Sequence, residues 1–156
     1  MENKKGVRDM STTVVNTNVE LLNFIYKNAE MGKQTLPKLL EICEDAAFRP
    51  VIQSQLREYE DICAAAADMA RRENSEAKGV NALAKISSYL SVNMNTMIDK
   101  TSSHLAEMMM QGSNMGVIEI TQKLKEFADA DEEVLSLGRK LLKTEERNLE
   151  QLKKYL

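Results

Sequence analysis

The sequence predicts an all-α protein, a bundle of long helices in one domain. Three observations carry this expectation. Breakers are scarce, with six Gly and two Pro in 156 residues. Aromatic residues, which favour strands, make up only 4%, and Trp is absent. Apolar residues recur at alternating steps of three and four along most of the chain, which is the spacing of a helix face. The length suits a single domain able to bury its own core. Its 43% apolar and 29% charged residues are ordinary for a globular protein.

Taken in order, residues 1–12 read as a flexible tail ahead of a domain over 13–156. "TNVE" has the Thr17-x-x-Glu20 form of a capping box. Leu22, Ile25, Ala29, Gly32, Leu36, Leu39 and Cys43 place a first helix over about 14–45, with Pro37 expected to bend it. Pro50 suits a first helical turn, and Ile52, Leu56, Tyr59, Cys63, Ala66 and Ala70 carry a second helix over about 48–74. The short link between the two requires an antiparallel hairpin. After the polar break "ENSEAKG", Leu83, Ile86, Leu90, Met94 and Met97 mark a third segment over about 80–99. "DKTSS" is rich in capping residues and starts a fourth over about 103–128. Asp129 with Glu132 signals the last helix, over about 130–155. A rival arrangement fuses the third and fourth segments into one long helix of a plain up-down-up-down bundle.

Several function classes are disfavoured at once. A net charge of −3 supplies no basic footprint for nucleic acid. No apolar run approaches the roughly 18 residues of a membrane span. The polar start "MENKKGVRDMSTT" lacks the apolar stretch of a secretory signal, so a cytoplasmic location is expected. Cys43 and Cys63 fall on apolar stripes at different heights of the hairpin and are read as reduced, buried side chains.

Two long helices in a hairpin, a long connection, and a second long hairpin resemble the ferritin-like superfamily. "NAEMGKQTLPKLLE", "FRPVIQSQLREYED" and "VLSLGRKLLKTEERNLEQLKKYL" resemble the small bacterial rubrerythrin-type proteins in layout and texture over most of residues 14–156. The resemblance implies a four-helix bundle with an additional crossover helix. It also implies an iron-type di-metal centre held by one Glu from each of two helices and a Glu-x-x-His from each of the other two. The carboxylates that answer to that pattern are Glu30, Glu58, Glu119 and Glu145. Residues three further on are Lys33, Asp61, Gln122 and Asn148, so Glu-x-x-His is absent throughout. Oxygen ligands alone suit hard divalent cations and match iron or zinc poorly. On helical angles, Glu30 and Glu58 lie about 100° off their stripes, whereas Glu119 and Glu145 lie within about 20° of theirs.

Glu145 therefore invites a different partner. In the crossover arrangement Lys33 and Glu145 lie at one height, each about 3 Å from the bundle middle, with Tyr59 close by. Gly112, Met115 and Gly116 face them from the fourth segment. A buried Lys33–Glu145 ion pair, completed by Tyr59 or Asn148, is the expected occupant of the layer where relatives hold metal. An unpaired buried carboxylate would cost several kcal/mol or take up a proton. The sequence thus favours a non-enzymatic bundle or interaction protein with no cofactor. The alternative is a carboxylate-rich metal-binding protein of the same fold, holding a divalent metal.

Other motifs add less. His104 and Glu107 could pair, but neither a second His nor a nucleophile signature accompanies them. Six of the ten methionines lie between Met94 and Met115. Met108, Met109 and Met110 cannot all face one core, which favours a homodimer that covers the remainder.

Overall fold

The computed structural model describes residues 2–75 and 99–156, with side chains from Thr17 onward. The first helix, α1, runs Glu2–Ile42. It is helical where a tail over 1–12 was expected, and Thr17 and Glu20 lie inside it instead of capping its start. Pro37 is also inside α1, on its exposed side. Proline cannot donate to the carbonyl four residues back, and an exposed position lets water satisfy that group instead. The expected helix over 80–99 lies outside the described residues.

The α1 end and the start of α2 (Arg49–Arg72) are tied by polar side chains. Asp45 Oδ1 accepts from the backbone N–H groups of Ala47 and Phe48 at 2.8 and 3.3 Å, which supports the turn. Arg49 donates to the carbonyls of Leu40 and Cys43, satisfying acceptors that the α1 terminus leaves free. Pro50 stands in the first turn of α2, as its fixed φ and missing donor allow. At the other end of α2, Asn74 adopts φ 55°, a left-handed conformation that Asn tolerates. The N–H groups of Asn74 and Ser75 then donate back to Arg71 and Ala70, forming a Schellman stop.

The third described helix, α3, runs Ser102–Glu126, and residues 99–101 are not helical. Thr101 is its N-cap, with the hydroxyl accepting from the His104 N–H at 3.3 Å. This boundary excludes the fused-helix alternative. The last long helix, α4, runs Glu132–Leu152 and closes in a 3₁₀ turn at Lys153–Tyr155. Its N-cap is Asp131, two residues beyond the expected Asp129, because Asn18 engages Asp131. Asn18 accepts from the Asp131 N–H at 2.8 Å and donates to its carboxylate at 2.9 Å.

These elements form an all-helical bundle. Helix α1 packs along α2, and α3 along α4; α1 also meets α3 and α4, while α2 meets α4. One end joins Asn18 of α1, Glu73 after α2 and Asp131 before α4. The Arg72–Glu133 ion pair lies at the same end. The opposite end joins the α1–α2 turn to the start of α3 through Ser102 and Asp45, 2.6 Å apart. There too, Phe48 packs on Tyr155 with ring centroids 4.5 Å apart. Between the ends, Leu21, Leu22, Ile25, Ile52, Ile62, Leu105, Ile120, Leu141 and Leu152 are buried. Each such side chain removed from water contributes roughly 1.5–3 kcal/mol. Among the described residues, no helix is long and apolar enough to cross a membrane.

Phe48 is fully buried and closes the core beneath the turn, so Phe48→Ala should cost about 3–5 kcal/mol in urea unfolding. Lys140→Ala, on an exposed face, should change stability by no more than about 0.5 kcal/mol.

Candidate functional site

Polar side chains buried in a core almost always meet a hydrogen-bond partner. In this bundle, all four described helices contribute buried polar groups: Asn28 from α1, Tyr59 from α2, Ser113 from α3, and Thr144, Glu145 and Asn148 from α4. At the centre the Tyr59 hydroxyl donates to Glu145 Oε2 at 2.7 Å. Asn148, one turn beyond Glu145, has its amide 3.4 Å from the same hydroxyl. Beyond Asn148 lies Glu58, whose Oε1 accepts from Arg147 at 2.7 Å at the protein surface.

Two glycines make room for this group. A Cβ on Gly32 of α1 would come 2.5–2.8 Å from three carbons of the Tyr59 ring. A Cβ on Gly116 of α3 would come 3.1 Å from Glu145 Oε1 and 3.4 Å from Asn28 Oδ1. The ring and the carboxylate thus each lie against a bare stretch of helix. Gly112 and Met115, also expected to face the layer, do not. Gly112 has open space around its Cα, and Met115 is 53% exposed.

The electrostatics follow from burial. Glu145 is 3% exposed, and burial pushes its carboxyl from 4.5 up to about 7. Hydrogen bonding from Tyr59 and from the nearby Ser113 hydroxyl pulls it down, and the charge of Glu58 adds to the rise. Burial, and after it the Glu145 charge, raises the Tyr59 phenol well above its ordinary value. Burial thus shifts both groups toward their neutral, protonated forms.

The expected Lys33–Glu145 pair does not form. Lys33 is exposed, and among the described residues it is in no ion pair with Glu145. Its charge acts on Cys63, whose thiol burial pushes up to about 11 while Lys33 opposes the rise. Carrying an ammonium into this layer would require desolvating it. A neutral phenol makes the same hydrogen bond to Glu145 without that penalty.

The four carboxylates also part company. Glu145 is central, and Glu58 stands at the rim of the layer. Glu30 lies between α1 and α2, where Tyr26 donates to its Oε1 at 3.4 Å and its Oε2 is buried without a hydrogen-bond partner. Glu119 lines a surface groove between α1 and α3 with Glu20, Phe24 and Lys123. It does not point inward as its helical angle suggested. Among the described residues, no group of three or more His, Cys, Asp or Glu could hold a metal ion. Among the described residues, Glu30 and Glu119 thus lie apart from Glu145 and do not join it in the four-carboxylate set that the resemblance implies. His104 and Glu107 approach to 3.6 Å on the surface of α3 and stay apart from this layer. Met109 is buried, and Met108 and Met110 pack half-buried against the core, so none of the three is left exposed as the homodimer expectation required. Cys43 and Cys63 are buried and free.

Sequence reasoning missed Gly32, Ser113, Asn28 and Thr144 as members of the layer. Gly32 carried a readable signal, since a helix stripe of larger residues dips to Gly at the height of Tyr59. The other three are short polar side chains, and their sequence positions do not distinguish them from solvated ones. Compared with known protein families, curated proteins and solved structures, the chain matches none.

Glu145 binds its proton more tightly in the folded chain than in the unfolded one, so stability falls as pH rises from about 4.5 to about 7. The full loss is on the order of 3 kcal/mol above that window and is absent below it. Glu145→Gln, which cannot ionise, should therefore gain about 2–3 kcal/mol relative to the parent between pH 4.5 and pH 8 in denaturant unfolding. Gly32→Ala should cost about 1–3 kcal/mol by crowding the Tyr59 ring, against a helix-propensity gain of about 1 kcal/mol, in the same assay.

Proposed function

We propose that this chain is a ferritin-like bundle that acts without catalysis, as a structural or interaction protein. In this reading, a neutral hydrogen-bonded layer occupies the position where metal-holding relatives carry their ions. The observation that carries it is the Tyr59–Glu145 bond at the centre of a layer fed by all four described helices. The carboxylate best placed for a metal is engaged by a phenol, Glu58 at the rim is paired with Arg147, and Glu30 and Glu119 lie elsewhere.

The order of the bundle ends supports the ferritin-like part. Helix α2 finishes beside Asn18, whereas α3 begins at the opposite end, beside the α1–α2 turn. In an up-down-up-down bundle α3 would begin where α2 finishes. A cytoplasmic location belongs to the same reading. So does a homodimer, for which the support is Met115 and Ile118, 53% and 52% exposed and three residues apart on α3.

Elemental analysis of the purified full chain tests the proposal. Iron, manganese and zinc should each fall well below one per chain, before and after incubation with the metal and passage through a desalting column. Stoichiometric retention of any of them would contradict the proposal. Light scattering should give twice the chain mass, and a monomer at all concentrations would remove the dimer from it.

A further inference from the structure

Helix α3 buries one side, on which Gly116 faces Glu145. The side opposite Gly116 carries Glu107, Gln111, Asn114, Ile118 and Lys125, all exposed, with Met115 at its border. A single exposed apolar side chain is ordinary. Met115 and Ile118 instead stand together in the middle of the helix, with polar residues before and after them. Glu107 and Lys125 lie toward the two ends of this face. They are 18 residues apart, which is five full helical turns, so both point the same way. Position 116 is midway between them, and Met115 and Ile118 flank that midpoint. The face is thus acidic near the start of α3, apolar in the middle and basic near its end.

We propose that this face of α3 binds the same face of a second copy, with the two helices antiparallel about a twofold axis at position 116. Turning a helix end for end about that point sets Glu107 opposite Lys125 of the second copy, and Lys125 opposite its Glu107. A parallel pairing would set like charge against like charge at both ends, so charge selects the antiparallel one. Met115 and Ile118 of both copies meet around the axis. Gln111, Asn114 and Gln122 form a polar rim, the usual surround of an apolar interface centre. Gly112 stands beside the face with open space around it and offers no side chain to hold the second helix away. The contact is small, so the pairing is reversible and grows with concentration.

The other charges of α3 leave this pattern intact. Lys123 and Glu126 pair with each other at 2.7 Å. Glu119 turns into the groove between α1 and α3. Among the described residues Lys125 is in no ion pair, and the Glu107 carboxylate, 3.6 Å from His104, stays 58% exposed. A different partner would need the same three-part order in reverse. A second copy supplies it at once, because the face is its own complement. The proposal deepens the homodimer of the proposed function and rests on it; it requires neither the ferritin-like layout nor the inner layer.

Sedimentation of the full chain over a concentration series at low salt tests it. Glu107→Lys and Lys125→Glu each place two like-charge contacts across the axis, and each alone should weaken dimerisation roughly tenfold. The double variant, Glu107→Lys with Lys125→Glu, restores opposite charges and should return to within about threefold of the parent. Ile118→Asp should leave a folded monomer. All three positions are exposed, so circular dichroism of the variants should match that of the parent. A dimer that Ile118→Asp or the single charge variants leave intact, or that the double variant fails to recover, would overturn this pairing while the homodimer stands. A parent chain that stays monomeric at every concentration would overturn both.

Discussion

The short hydrogen bond from Tyr59 to Glu145 is the constraint on which the middle of the bundle depends. It joins α2 to α4 through two groups that are each almost wholly out of water. A bond of this kind has modest net value while it is made, but leaving the carboxylate without it would expose the full desolvation cost. The adjoining packing conforms to this requirement. Gly32 is bare because the Tyr59 ring lies against it, and Gly116 is bare because the Glu145 carboxylate and Asn28 share the space above it. Two positions without side chains on α1 and α3 are thus the counterpart of one phenol and one acid on α2 and α4.

The same layer explains how a carboxylate can stand at the centre of the bundle with a phenol and amides as its neighbours. A neutral acid, a neutral phenol and an amide can satisfy one another with no net charge, whereas an ammonium would add a second desolvation cost. Charge enters only at the rim, where Glu58 and Arg147 meet in water. Chemistry that needs four carboxylates in one place finds only Glu145 and, at its rim, Glu58 on the α2–α4 seam, with Glu30 and Glu119 apart from them. Fold and site chemistry are separate questions: helix order sets where the ends of the bundle lie, and the buried polar layer sets what its middle can hold.

Much of the layout was legible in the sequence because helical periodicity is local. The stripes through Ile25, Leu36, Ile52, Ala66, Leu141 and Leu152 are buried as their spacing required. Pro50 and Thr101 mark real helix starts. Boundaries set by distant partners were less legible: Asp131 became an N-cap because Asn18, far away in sequence, binds it. In the site, the same spacing that put Glu145 inside its stripe also brought Tyr59 and Asn148 to its height, and the structure joins the three. Lys33 shared that height but not that direction; a long cationic side chain reaches water when water is available. Glu119 failed for a related reason, since its angle on α3 was measured from a stripe whose middle is set by the position of α1.

The central claim is that Tyr59 and Glu145 act as one unit, and a double-mutant cycle measures this most directly. Tyr59→Phe, Glu145→Gln and the double variant would be unfolded in denaturant alongside the parent chain at pH 8, where Glu145 is ionised and depends most on the phenol. The account predicts a coupling energy of about 1–3 kcal/mol, as expected for a buried bond to a charged group. Additivity within about 0.5 kcal/mol would contradict it, because the two side chains would then be neighbours that do not depend on one another.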